Sequence, residues 1–300
     1  MTTSEPTFHL ELSGLREDNP RDFLAALGLI RLIDILWPST KAKLSWSSHK
    51  GTPSITSRHP LHDDLTQQIW NLLREIKIQD HSPLEPVPVE AVSPADFRKK
   101  IEQAINRDTK IEVLLLAAMA SQTEMEKASR RSDFIIESGR RRVIKGVCDM
   151  LAEECFGPTL LAEIEGRAMP VKVSNSSRWN PAEFRSAAYT TTDPAKTDFL
   201  DHPGLNVIAF IGLTFYPVID SSKNKSTPGF TRTLGNNQFS WPIWSEPLAP
   251  DEITSLLHHP EVHVGELNHL LLSAIGINRV WRTRKFGDAN NKYFSAAMPA

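Results

Sequence analysis

The chain is short of the features that announce a chemistry. It has two cysteines in 300 residues. Cys148 and Cys155 fall seven residues apart on one expected helix, about two turns and too far for a disulfide. They read as buried free thiols in a reducing cytoplasm. A core of this size needs no disulfide or metal staple. No apolar run reaches the ~18 to 20 uncharged residues that cross a bilayer. The longest, "FLAALGLIRLIDILW" and "LNVIAFIGLTFYPVI", read as buried core helices, and no membrane association is expected. The start, "MTTSEPTFHLELSGL", lacks the basic opening and apolar run of a secretion signal. Charge of one sign is missing as well: 34 Lys and Arg against 36 Asp and Glu leave a net −2. That argues against an indiscriminate nucleic-acid binder, though not against a local basic face. Neither a Walker loop, Gly-x-Gly-x-x-Gly, Gly-x-Ser-x-Gly nor Cys-x-x-Cys occurs. The sequence makes no positive case for catalysis or for a cofactor.

What is present is a mixture of helices and short strands. "FHLELSGL" alternates as a strand. Asn19 and Pro20 open a helix that runs to about Trp37 and is apolar on nearly every side. "KAKLSWSS" and "TPSITS" read as a strand pair turning at Lys50-Gly51. An amphipathic helix over 59–79 puts Leu65, Ile69, Leu72 and Ile76 on one face. Residues 80–94 carry four prolines and read as a linker or long loop. Helices follow over 94–106 and in "KIEVLLLAAMA". "DFIIES" reads as a short strand, and a helix begins near Val143. A short helix around Leu160 and a polar stretch over 174–198 precede a second apolar helix at 205–215. Residues 220–229 read as a flexible loop, and "FTRTLGNNQFSWPIW" as a hairpin. Two helices near 250–258 and 265–274 lead to a basic tail that alternates like a strand pair.

No regular βαβ alternation appears, so the expected class is α+β, with short antiparallel strands around two apolar central helices. Residues 1–80 form one expected part and 95–300 another, joined by the proline-rich 81–94, or the whole is one continuous domain. "AALGLIRLID" and "AFIGLTFYPVI" share a central Gly-Leu, as two similar packing helices would.

Cations cluster in three places. Arg140, Arg141 and Arg142 follow Gly139 where a strand hands over to a helix, with Lys145 just beyond. Arginine forks suit phosphate, and a helix start adds free N–H groups. The alternative is a solvated surface run paired with Glu137. In the tail, Arg279, Arg282, Arg284 and Lys285 interleave with Trp281, Phe286 and Tyr293, the mixture that single-strand binding uses. A sheet with one buried aromatic face and one solvated charged face gives the same pattern. Arg178 and Arg185 flank Trp179 in a loop that either holds a ligand or tucks the tryptophan into the core. His59, His62, Asp63 and Asp64 are metal-binding types, as are His258, His259, His263 and His269, but neither spacing matches a known site.

Three stretches carry a resemblance. "GLREDNPRDFLAALGLIRLIDILWP" followed by "LSW" resembles the opening of CRISPR-associated effector subunits of the type I-G (formerly I-U) systems, where a strand leads into "NP" and an apolar helix. "SDFIIESGRRR" sits where those proteins have an aromatic strand and an Arg-Gly-rich turn. "HPGLNVIAFIGLTFYPVI" is similar to their second apolar helix, with Thr214-Phe215-Tyr216-Pro217 replacing a Gln-Arg-Phe-Arg-Pro ending and removing two cations. The resemblance implies a non-catalytic subunit of an RNA-guided antiviral complex. Its partners would be other effector subunits and guide RNA or target DNA, and its arginines would grip backbones. Two other readings remain open. One is a protein–protein adaptor using 80–94 and an exposed "FSWPIW" hairpin. The other is a metal-dependent nuclease using His59, His62, Asp63 and Asp64.

Overall fold

The computed structural model describes residues 8–61, 64–78, 94–106, 110–121, 130–134, 156–173, 177–183, 199–221, 224–233, 236–287 and 292–300. In chain order these form β1 (Phe8–Glu11), α1 (Pro20–Leu36), β2 (Lys43–Trp46), β3 (Pro53–Ser57), α2 (Leu65–Ile78), α3 (Pro94–Asn106) and α4 (Lys110–Met119). Next come β4 (Ala120–Ser121), β5 (Arg130–Arg131), α5 (Phe156–Ile164), β6 (Val171–Val173), β7 (Phe199–Asp201) and α6 (Pro203–Gly212). The rest are β8 (Ile219–Ser221), β9 (Asn224–Ser226), β10 (Phe230–Thr233), β11 (Asn236–Trp244), α7 (Pro250–Leu257), α8 (His269–Ala274), β12 (Ile277–Gly287), β13 (Lys292–Phe294) and β14 (Met298–Pro299). A three-stranded sheet runs β1-β3-β2, and a five-stranded sheet runs β10-β11-β12-β13 with β14 also on β12. The strand pairs in both are antiparallel, so the class is α+β.

Helix α1 begins where local chemistry places it. The Asn19 side chain accepts from Arg21 N at 3.0 Å, and Pro20 fills the first turn. Every residue from Pro20 to Ile33 is buried, which fits a helix with no polar stripe. Its partner α6 is buried along its whole length. The two cross at Gly28 and Gly212: a methyl on Gly28 would overlap the Ile208 carbonyl oxygen, and one on Gly212 that of Leu24. The shared central glycines are therefore the faces by which the two helices touch.

Both sheets lean on an aromatic cluster at the N-terminal end of α1. The Phe23 ring centroid lies 5.8 Å from Trp46, 5.8 Å from Trp241 and 6.4 Å from Trp244. Trp241 and Trp244, three apart on one strand, would ordinarily face opposite ways. An irregularity between Ile243 and Trp244 breaks the alternation and lets both reach Phe23. Their indole N–H groups donate to the carbonyls of Glu17 and Leu44, each at 2.9 Å. "FSWPIW" is consequently not an exposed hairpin: Phe239, Trp241, Ile243 and Trp244 are all buried.

Other expectations shift locally. Helix α2 starts at Leu65 rather than near 59. Asp133 and Phe134 lie in a turn instead of a strand. That turn drives the Phe134 ring between Tyr216 and Phe239, at 5.1 and 4.8 Å, while Asp133 N donates to Thr227 Oγ1 at 2.9 Å. Residues 219–226 pair as the β8–β9 hairpin in place of a loop. Cys148, Cys155 and most of the proline-rich 81–94 lie outside the described residues. Among the described residues no helix is long and apolar enough to cross a membrane.

Candidate nucleic-acid interface

The five-stranded sheet decides which tail cations are available. Antiparallel register puts directly opposed residues on one face. One face carries Phe230, Phe239, Thr283, Trp241, Trp281, Lys285 and Phe294, and it meets the core. The other carries the rows Thr231–Gln238–Arg284, Ser240–Arg282–Met298 and Phe286–Tyr293. The tail arginines thus divide between faces.

Arg279 and Lys285 belong to the core face. Arg279 pairs with Glu17, and its Cζ lies 5.7 Å from the Trp281 ring centroid. Glu17 is buried, and desolvation pushes its carboxyl above the usual range against the opposing pull of Arg279. Lys285 Nζ donates to the Asp133 carbonyl at 2.7 Å. These two cations tie the tail to the rest of the fold.

On the outer face, Arg282 donates to the carbonyls of Gly265 and Val264 at 2.8 and 2.5 Å. Burial under that loop lowers its pKa. Arg284 is exposed, and only its backbone is engaged by Ser295: N donates to Ser295 Oγ at 3.1 Å and O accepts from Ser295 N at 2.9 Å. One row further on, Phe286 and Tyr293 stand opposite each other, half-buried, with ring centroids 6.4 Å apart.

Arg178 lies inside the molecule. It is 2% exposed and has φ 60, a left-handed conformation seldom taken by residues with a side chain. Its Cζ sits 4.5 Å from the Tyr293 ring centroid and its Nη1 donates to the Lys292 carbonyl at 3.2 Å. Trp179 beside it is buried, with Nε1 on the Phe134 carbonyl at 2.9 Å. Arg140, Arg141, Arg142, Lys145 and Arg185 lie outside the described residues.

The interior also holds a charged network that the sequence does not announce. Arg21, on the first turn of α1, donates from Nε and Nη2 to Asp22 Oδ1 at 2.8 and 2.6 Å and pairs through Nη1 with Asp201. Asn206 donates to Asp201 Oδ2 at 2.7 Å, and Ser177 to Asn206 at 2.8 Å. Glu163 on α5 accepts from Leu205 N at 2.9 Å, capping the start of α6. Burial pushes its carboxyl up to about 7. This network joins the N-terminal ends of α1 and α6. Only the Arg-Asp dipeptide after Pro20 hinted at it, since Glu163 and Asp201 arrive from distant sequence.

Among the described residues no three His, Cys, Asp or Glu stand together as a metal site. His258 and His263 bond the carbonyls of Phe215 and Leu257 at 3.0 and 2.8 Å. His62 and Asp63 lie outside the described residues. No protein-family model matches the chain, and no curated protein matches its sequence.

Proposed function

We propose that this chain is a non-catalytic, cytoplasmic subunit of an RNA-guided CRISPR effector complex, gripping guide RNA or target DNA in antiviral defence. The observation that carries the nucleic-acid part is the exposed Arg284 beside Phe286 and Tyr293 on the outer sheet face. A cation next to partly exposed rings on a sheet suits a nucleic-acid backbone and its bases. The CRISPR part rests on the resemblance carried by residues 14–38 with 44–46, by 132–142 and by 202–219. Affinity measured across a salt series tests it. The wild-type chain is expected to bind RNA or DNA with log K falling linearly against log salt, and Arg284→Ala to reduce that slope by about one. An unchanged slope and affinity would remove Arg284 from the interface.

A second reading, a protein–protein adaptor, has one observation in its favour. Leu270 on α8 is 86% exposed, with Leu271 and Ile275 also exposed near it. It predicts no nucleic-acid binding at any salt.

A further inference from the structure

Phe286 and Tyr293 are direct cross-strand partners, their ring planes inclined by 42°. Arg284 stands two residues before Phe286 on the same face, roughly 7 Å along the strand. Gln238 and Thr231 continue its row across the sheet, both half-buried. The Tyr293 ring is fixed from beside the sheet by Arg178, whose guanidinium lies over it. Arg178 holds that place from a left-handed backbone conformation, a strain that survives only where its surroundings enforce it and that clusters at ligand clamps.

The ring spacing bears on the form of nucleic acid. Stacked nucleotides follow one another at about 3.4 Å along a strand. The two ring centroids are 6.4 Å apart, nearly twice that. Bases resting on both rings are therefore splayed from each other. A single strand adopts this readily, whereas a duplex keeps its base faces stacked inside.

We propose that the outer face of the C-terminal sheet is a stacking platform for single-stranded nucleic acid, with Phe286 and Tyr293 each taking a base and Arg284 the adjoining phosphate. The inference rests on the nucleic-acid reading above and adds the strandedness of the ligand. Gln238 and Thr231 supply polar groups beside the path of the strand.

Fluorescence anisotropy on the full chain tests it, using a short labelled oligouridine and a DNA duplex of equal length. Phe286→Leu and Tyr293→Leu keep apolar bulk and remove the stacking surface. Each is expected to weaken oligouridine binding by about tenfold and to leave duplex binding unchanged. Unaltered oligouridine affinity in both variants, or an equal loss on duplex, would overturn the platform and leave the broader nucleic-acid reading standing. A wild-type chain that binds neither probe overturns both. Should the variants not fold, photocrosslinking of a thiouridine-labelled strand to the wild-type chain decides. Adducts on β12 and β13 support the platform, and adducts confined to other elements contradict it.

Discussion

Arg279 and Arg284 sit five residues apart on one strand and do different work. Arg279 is held by Glu17, 262 residues earlier in the chain, and Arg284 stands exposed on the opposite face. Alternation in "RVWRTRKF" makes the two-faced strand readable, but it cannot say which face meets the core, and nothing near Arg279 in sequence names its acidic partner. Arg178 shows the same limit: a loop arginine beside a tryptophan gives no sign of its left-handed backbone or of its place over Tyr293. Two substitutions separate interior from surface charge. Asp201→Ala leaves the buried Arg21 guanidinium with Asp22 alone and the Asn206 amide without its acceptor, and is expected to cost about 1 to 3 kcal/mol, read as a lowered urea midpoint. A loss below about 1 kcal/mol would mean that the network contributes little. Arg284→Ala is expected to change stability by no more than about 0.5 kcal/mol, so any loss of nucleic-acid affinity in that variant is a loss of contact.

At the scale of elements, α1 and α6 meet backbone to backbone at Gly28 and Gly212. Gly28→Ala and Gly212→Ala each thrust a methyl into a backbone carbonyl of the other helix, which neither helix can relieve by a rotamer change. Each is expected to cost on the order of 3 kcal/mol or more, with thermal unfolding as the measurement and an unchanged midpoint as the contrary result. Both helices, the Asn19-Pro20 start and the paired Gly-Leu centres were legible, because capping and all-round hydrophobicity are local signals. The β8–β9 hairpin was not, because strand pairing there overrides a polar, loop-like composition, and neither was the turn at Asp133, where packing of Phe134 against Tyr216 and Phe239 overrides an apolar, strand-like one. Glu163 adds a pH dependence at the start of α6. Its folded pKa lies above the ordinary glutamate value of 4.5, at about 7, so the folded state holds the proton more tightly than the unfolded chain. Its contribution to stability is complete below pH 4.5 and is lost as pH rises through about 7, a change of about 3 kcal/mol. Burial raises Asp22 in the same direction. Urea midpoints at pH 5 and pH 7.5 in both proteins check this: burial holds His202 and His263 below the ordinary histidine value, which favours the higher pH, so the readout is the difference between proteins, and Glu163→Gln should gain stability relative to wild type as pH rises. Equal pH slopes in the two proteins would show that Glu163 is not the titrating group.

At the scale of the whole molecule, one hydrophobic cluster reaches from Leu12 to Phe294 and takes in both sheets and the helix pair. A near-neutral chain of this build can hold nucleic acid only through a local face. The α+β class followed from the mixture of periods along the sequence. Arg284, Phe286 and Tyr293 were legible as a cation–aromatic mixture, but their meeting on one outer face was not, since it depends on register between strands. The central claim is that this chain works inside an RNA-guided complex. Its most direct test is to sequence the nucleic acid that copurifies with the tagged chain from its native host. The account predicts guide RNA derived from CRISPR repeats, in a complex with other effector subunits. A folded, soluble preparation that carries no nucleic acid would contradict it and favour the adaptor.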